Sequence, residues 1–161
     1  MLPLLLLLLQ APADACTLLK PADLSPFGAT NPRTSDMEVP SGPAQGQKVK
    51  GCMWQVGKEG MLAISFAAAP QDPAARQAGL AMIEQTYNQL KAKGWTEQRQ
   101  EFAGGMCAAL APPATEKGAP FTTGCMTEAR GMALSVSALG KTKVEIAQLK
   151  ALLDKLVQRL Q

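Results

Sequence analysis

The sequence predicts an α+β fold: a mainly antiparallel sheet of about five or six strands, flanked by two long helices and a short N-terminal helix. Three observations lead there. Segments with a two-residue apolar period are joined by links of hairpin length, which suit antiparallel neighbours and are too short for parallel crossovers. Two longer segments, over residues 73–93 and 142–160, repeat apolar residues at helical spacing instead. The 161 residues with 47% apolar content fill one core and not comfortably two, so the elements belong to a single domain.

Residues 1–15 read as a signal peptide and residues 16–161 as the domain. The run Leu4 to Leu9 is too short to span a bilayer, and it ends at Ala13-Asp14-Ala15, a small-x-small cleavage pattern. No Lys or Arg precedes the leucines. The chain is therefore expected in the periplasm or secreted. An alternative is a lipid anchor on Cys16, which follows the cleavage pattern directly. Against it, Ala13 stands where a lipobox usually has leucine, and acylating Cys16 would strand one of four thiols. Nothing after the leader reads as a transmembrane segment.

The first element of the domain is a short helix in Cys16-Thr-Leu-Leu-Lys-Pro-Ala-Asp-Leu, with Pro21 in its first turn, Pro26 ending it, and Leu18, Leu19 and Leu24 on its buried side. Residues 27–47 hold three prolines and little apolar content, which predicts a long irregular loop. A hairpin follows. Cys52, Trp54 and Val56 share one face, Leu62, Ile64 and Phe66 share the partner's, and the expected register sets Val56 opposite Leu62 and Trp54 opposite Ile64. The loop is then Lys58-Glu59-Gly60, with Gly60 left-handed.

Asp72-Pro73 supplies a cap and a first helical residue for a helix whose face carries Leu80, Ile83, Tyr87 and Leu90, ending at Lys91, Lys93 and Gly94. Trp95 anchors the strand or link beyond it. Strands are expected at 105–111, 120–127 and 131–139. The last helix has Thr142 and Glu145 at capping-box spacing and a stripe of Ile146, Leu149, Leu152, Leu153, Leu156 and Leu160.

An even set of four cysteines, Cys16, Cys52, Cys107 and Cys125, suits two bridges in an oxidising compartment. Placing Cys107 opposite Cys125 centres a hairpin on Glu116, inside a Pro- and Gly-rich turn, and directly opposed strand residues are close enough to be bridged. Cys16 and Cys52 are then left for each other. Three of the cysteines adjoin methionines, and thiolate and thioether ligands favour Cu(I). Neighbours on a strand point to opposite faces, however, so a Cys-Met pair cannot line one site. In this register Met106 faces Met126 on the side away from the bridge, where a two-methionine site is conceivable and core filler beneath a helix is the plainer reading.

The chain has no histidine. This excludes the Ser-His-Asp and Cys-His hydrolases and argues against the usual zinc centres. No phosphate-cradling glycine motif and no Cys-x-x-Cys occur. Glu97 and Glu101 are not diagnostically spaced for glycoside hydrolysis, and Ser65, Ser135 and Ser137 read as ordinary strand residues. No enzyme, no catalytic residue, no metal site and no cofactor is expected. A formal charge of +3, with bases scattered among acids, leaves no nucleic-acid footprint. Lys48, Lys50 and Lys58 form a local basic group, whose plainer reading is a solvated face and whose sharper one is a binding patch.

At Cys16-Thr-Leu-Leu-Lys-Pro-Ala-Asp-Leu, at Cys52-Met-Trp54 and at the strand Gly131-Met-Ala-Leu-Ser-Val-Ser running into an amphipathic helix, the chain resembles bacterial exported proteins and lipoproteins that begin with Cys-x-Leu-Leu and carry a Cys-x-Trp strand. The resemblance implies a Mog1/PsbP-like α/β/α sandwich and a Cys16–Cys52 bridge, and no reaction. Ser25-Pro26-Phe27 departs from it by cutting the first helix short. The functional expectation is a non-enzymatic envelope protein. It would bind another protein or an envelope component through residues 27–47 and the basic end of the first hairpin. The alternative is a module that binds a small molecule or Cu(I) between sheet and helices.

Overall fold

A computed structural model describes residues 14–40 and 45–160. The leader expected at 1–15 falls outside them except for Asp14 and Ala15. The chain opens with a 3-10 turn (Ala15–Thr17), a one-turn helix α1 (Pro21–Leu24) and a second 3-10 turn (Ser25–Phe27). There follow β1 (Ala29–Glu38), β2 (Lys48–Val56), β3 (Gly60–Ala68), α2 (Pro73–Ala92), β4 (Thr96–Phe102), β5 (Gly105–Ala111), β6 (Phe121–Ala129), β7 (Met132–Gly140) and α3 (Ile146–Arg159). The strands form one sheet in the order β1-β2-β3-β7-β6-β5-β4, with every neighbouring pair antiparallel.

This corrects the expected sheet of five or six strands flanked by two long helices. The sheet has seven strands and dominates the molecule, and α3 is the one long helix with buried residues; α2 has none. Both unexpected strands are edges. β1 replaces most of the loop expected at 27–47. It carries Pro32, a bulge between Thr30 and Arg33, and Asn31 at a φ of 53°, devices that suit an edge. With eight of its ten residues exposed, it has little reason to alternate. β4 is polar and sits at the other edge.

Two further details shift. The β2–β3 register pairs Trp54 with Leu62 and Cys52 with Ile64, two residues from expectation, so the faces are kept. Gly57 rather than Gly60 takes the left-handed turn position. On α3 the cap is Glu145, whose amide donates to Gln148 Oε1 at 3.2 Å, not Thr142. By contrast Asp72 caps α2 through the Ala74 amide at 3.0 Å, and Gly94 ends it with a φ of 88°, as read.

The core lies on one face of the sheet. Trp54, Leu62, Ile64, Phe66, Leu134 and Val136 meet the buried stripe of α3, and Leu19 and Leu24 close the remaining side. Both expected bridges, Cys16–Cys52 and Cys107–Cys125, are formed within it. The second joins residues directly opposed on β5 and β6, with α-carbons 4.0 Å apart. The two disulfides point to an oxidising compartment, extracellular or periplasmic. No helix among the described residues is long and apolar enough to cross a membrane.

One buried ion cluster fastens the N-terminal turns to α3. Asp23 accepts from the Lys20 amide at 2.8 Å, Lys155 at 3.0 Å and Arg159 at 2.5 Å, and Arg159 also reaches the Leu18 carbonyl at 2.8 Å. Burial alone would raise the Asp23 pKa, but these bonds together hold its carboxyl well below the usual carboxylate range.

A group depressed on folding stabilises fully above its unfolded pKa, about 3.9 for aspartate, and loses that contribution as pH falls through the folded value. Asp23→Asn is therefore expected to cost about 2 kcal/mol at neutral pH, discounted for the half-exposed Lys155. Urea unfolding across a pH series should show the gap to wild type narrowing in acid. Native protein should yield no free thiol to a sulfhydryl reagent, and losing either bridge should cost about 3 to 4 kcal/mol in chemical denaturation.

Candidate functional site: a cleft beneath the crossover helix

The connection from β3 to β4 generates the site. β3 lies in the middle of the sheet and β4 at its far edge, about 19 Å away at four strand spacings. A twenty-residue α2, about 30 Å long, carries the chain across the face opposite α3. Yet none of its residues is buried, and Leu80 and Met82 remain 49% and 54% exposed. The helix stands off the sheet.

The sheet floor explains the gap. One row of paired residues runs Gly51, Ser65, Ser135, Met126, Met106, Glu101 from β2 to β4. The next runs Ala63, Ser137, Gly124, Ala108, Arg99. A face packed against a helix carries Leu and Val, and a solvated one carries charge; this one carries small residues and thioethers. Between it and α2 lies a cleft of about 720 Å³, with Val49, Ala67, Leu80, Met106, Met126 and Ala133 among its apolar lining. On the opposite face of the sheet the Phe102 ring lies across Gly105, where a β-carbon would come within 2.6 Å of it, and 4.8 Å from the Lys150 ammonium of α3.

Ion pairs tether the helix to the sheet. Arg76 binds Glu128 of β6 at 2.9 Å. Arg99 of β4 binds Glu84 of α2, and it shares Glu97 with Lys91, at 2.7 and 3.1 Å. The Arg99 guanidinium also sits 5.4 Å from the centre of the Tyr87 ring. Burial would raise the Glu97 carboxyl, but the bonds from Arg99 and Lys91 bring it below its usual range. The bond from Arg99 likewise lowers Glu84. Burial raises the Tyr87 hydroxyl. These carboxylates are engaged as ion-pair partners.

The proposed basic patch is not assembled. Lys48 and Lys50 start β2 and Lys58 lies in the turn at its other end, roughly 20 to 30 Å away. Lys48 and Lys50 stand opposite Glu38 and Asp36 of β1 in register. Lys58 lines a smaller hollow of about 370 Å³ at that turn, beside the ion-paired Lys141 and Glu59. Met106 does face Met126 away from the Cys107–Cys125 bridge. The two line the cleft rather than a packed core.

Ser65 and Ser135, read as ordinary strand residues, are the site residues that sequence reasoning missed. Their hydroxyl oxygens lie 2.7 Å apart on the cleft floor. A signal was present: on β3 and β7 the positions alternating with the core set are Ala63, Ser65, Ala67 and Ala133, Ser135, Ser137, too small for a packed face and too uncharged for a wet one.

No protein-family model matches the chain, and no curated protein matches it at a significant level. Its fold is similar to that of the extracellular domain of PknH from Mycobacterium tuberculosis, with a TM-score of 0.56 at 14% identity, over 94% of this chain and 97% of that one.

Held by partly exposed ion pairs worth about 0 to 1 kcal/mol each and by half-buried contacts, α2 is the element expected to open first. Amide hydrogen exchange should show faster exchange over Pro73–Ala92 than over Ile146–Arg159, and Arg99→Ala should accelerate α2 further while leaving α3 unchanged.

Proposed function

We propose that the chain is an extracytoplasmic binding module that holds a small, largely apolar molecule in the cleft between α2 and the sheet. The observation that carries this reading is a long helix suspended over a floor of small residues and thioethers, enclosing a volume of about 720 Å³ within the range of small-molecule sites. Methionine supports it, since flexible thioethers adapt to varied apolar shapes. A cleft roofed by a weakly tethered helix also has a natural way in.

Binding rather than turnover is the reading the side chains favour. All four cysteines are in disulfides, the chain has no histidine, and Arg76, Glu84, Glu97, Arg99 and Glu128 neutralise one another. Docking through a loop at 27–47 loses its premise, because Ala29–Glu38 is a paired strand. A fold similar to an extracellular domain accords with work outside the cytoplasm.

The test fills the cleft from its floor. Ala67→Phe and Ala133→Phe, which project into it, should weaken binding of the apolar fluorophore N-phenyl-1-naphthylamine at least about tenfold, a loss of about 1.4 kcal/mol. Circular dichroism and disulfide content should not change. Unaltered probe binding by both folded variants would falsify the reading.

A further inference from the structure

We infer that the Ser65–Ser135 hydroxyl pair recognises an acceptor oxygen, and that the preferred ligand is an uncharged acyl ester rather than a plain hydrocarbon or a free fatty acid. The inference rests on the cleft reading above and deepens it.

Two serine hydroxyls carry two O–H groups. At 2.7 Å either can donate to the other, which uses one hydrogen and leaves one. Elsewhere in the described residues threonine hydroxyls donate to backbone carbonyls: Thr123 to Val144 at 2.7 Å, Thr127 to Gly104 at 2.9 Å and Thr86 to Met82 at 3.0 Å. Ser65 and Ser135 bond only each other. Their neighbours along the row are Gly51 on one side and Met126, then Met106, on the other, which offer nothing better than a weak thioether acceptor. One O–H donor therefore faces an apolar cleft.

A complementary molecule places an acceptor oxygen over the pair and hydrocarbon to one side of it. Two strand spacings, about 10 Å, separate the pair from Met106, so an acyl chain leaving the carbonyl can run over both thioethers. Charge then selects among acyl compounds. The cleft is lined by two arginines and three glutamates, and both arginines are already paired with carboxylates. A carboxylate ligand finds no free cation and a local excess of negative charge. An ester keeps the acceptor oxygen without the charge.

Competition against bound N-phenyl-1-naphthylamine tests this with methyl decanoate, sodium decanoate and decane at neutral pH. Methyl decanoate should displace the probe about tenfold more tightly than either of the others. In the double variant Ser65→Ala/Ser135→Ala the ester should fall to the level of decane, both read relative to the probe's own affinity for that variant. Replacing both partners at once leaves no hydroxyl stranded, so the fold should tolerate it. If decane and the probe bind but the ester has no advantage, or if the double variant keeps the preference, the hydroxyl inference is overturned and the cleft stands. If none of these apolar compounds binds wild-type protein, both readings fail together.

Discussion

The antiparallel pairing of β3 with β7 is the constraint on which the rest of this molecule depends. It joins two meanders, β1-β2-β3 and β4-β5-β6-β7, into one sheet. It also obliges the chain to leave the centre of that sheet and re-enter at its far edge. No short turn can make that step. The connection must be long, must lie over one face, and must be the face α3 does not use.

The two faces then diverge in chemistry. On the α3 side, leucines, Trp54, Phe66 and two disulfides fill the space, and Asp23 binds Lys155 and Arg159 so that the N-terminal turns cannot lift away. On the α2 side the floor is too small-grained to reach the helix, and ion pairs at Arg76 and Arg99 hold it at a distance. Rigidity is concentrated on one face and adaptability on the other. The covalent staples lie on the rigid side, where they cost the cleft no freedom.

Much of the scaffold was legible from residues alone, and the reason is locality. Alternation at Cys52, Trp54 and Leu62, Ile64, Phe66 marks strands because one face is buried; helical spacing along α3 marks a helix for the same reason. The bridge between Cys107 and Cys125 followed from a turn that centres their hairpin. Where burial gives no signal the reading failed. β1 and β4 are polar edges, and the two-residue error in the β2–β3 register left the faces intact and so left no trace in the pattern. The cleft itself was only half visible. Met106 and Met126 were placed on the correct side, but as core filler, and Ser65 and Ser135 carried no motif.

The chain by itself determined its oxidised cysteines, its central strands, its two long helices and the absence of histidine chemistry, because each is a property of composition or of residues near one another in sequence. Only the tertiary structure decided the strand order, the role of residues 29–38 as an edge, the dispersal of Lys48, Lys50 and Lys58, and the meeting of two serines seventy positions apart. Those depend on which strands pair across long stretches of chain, and no local period encodes that choice.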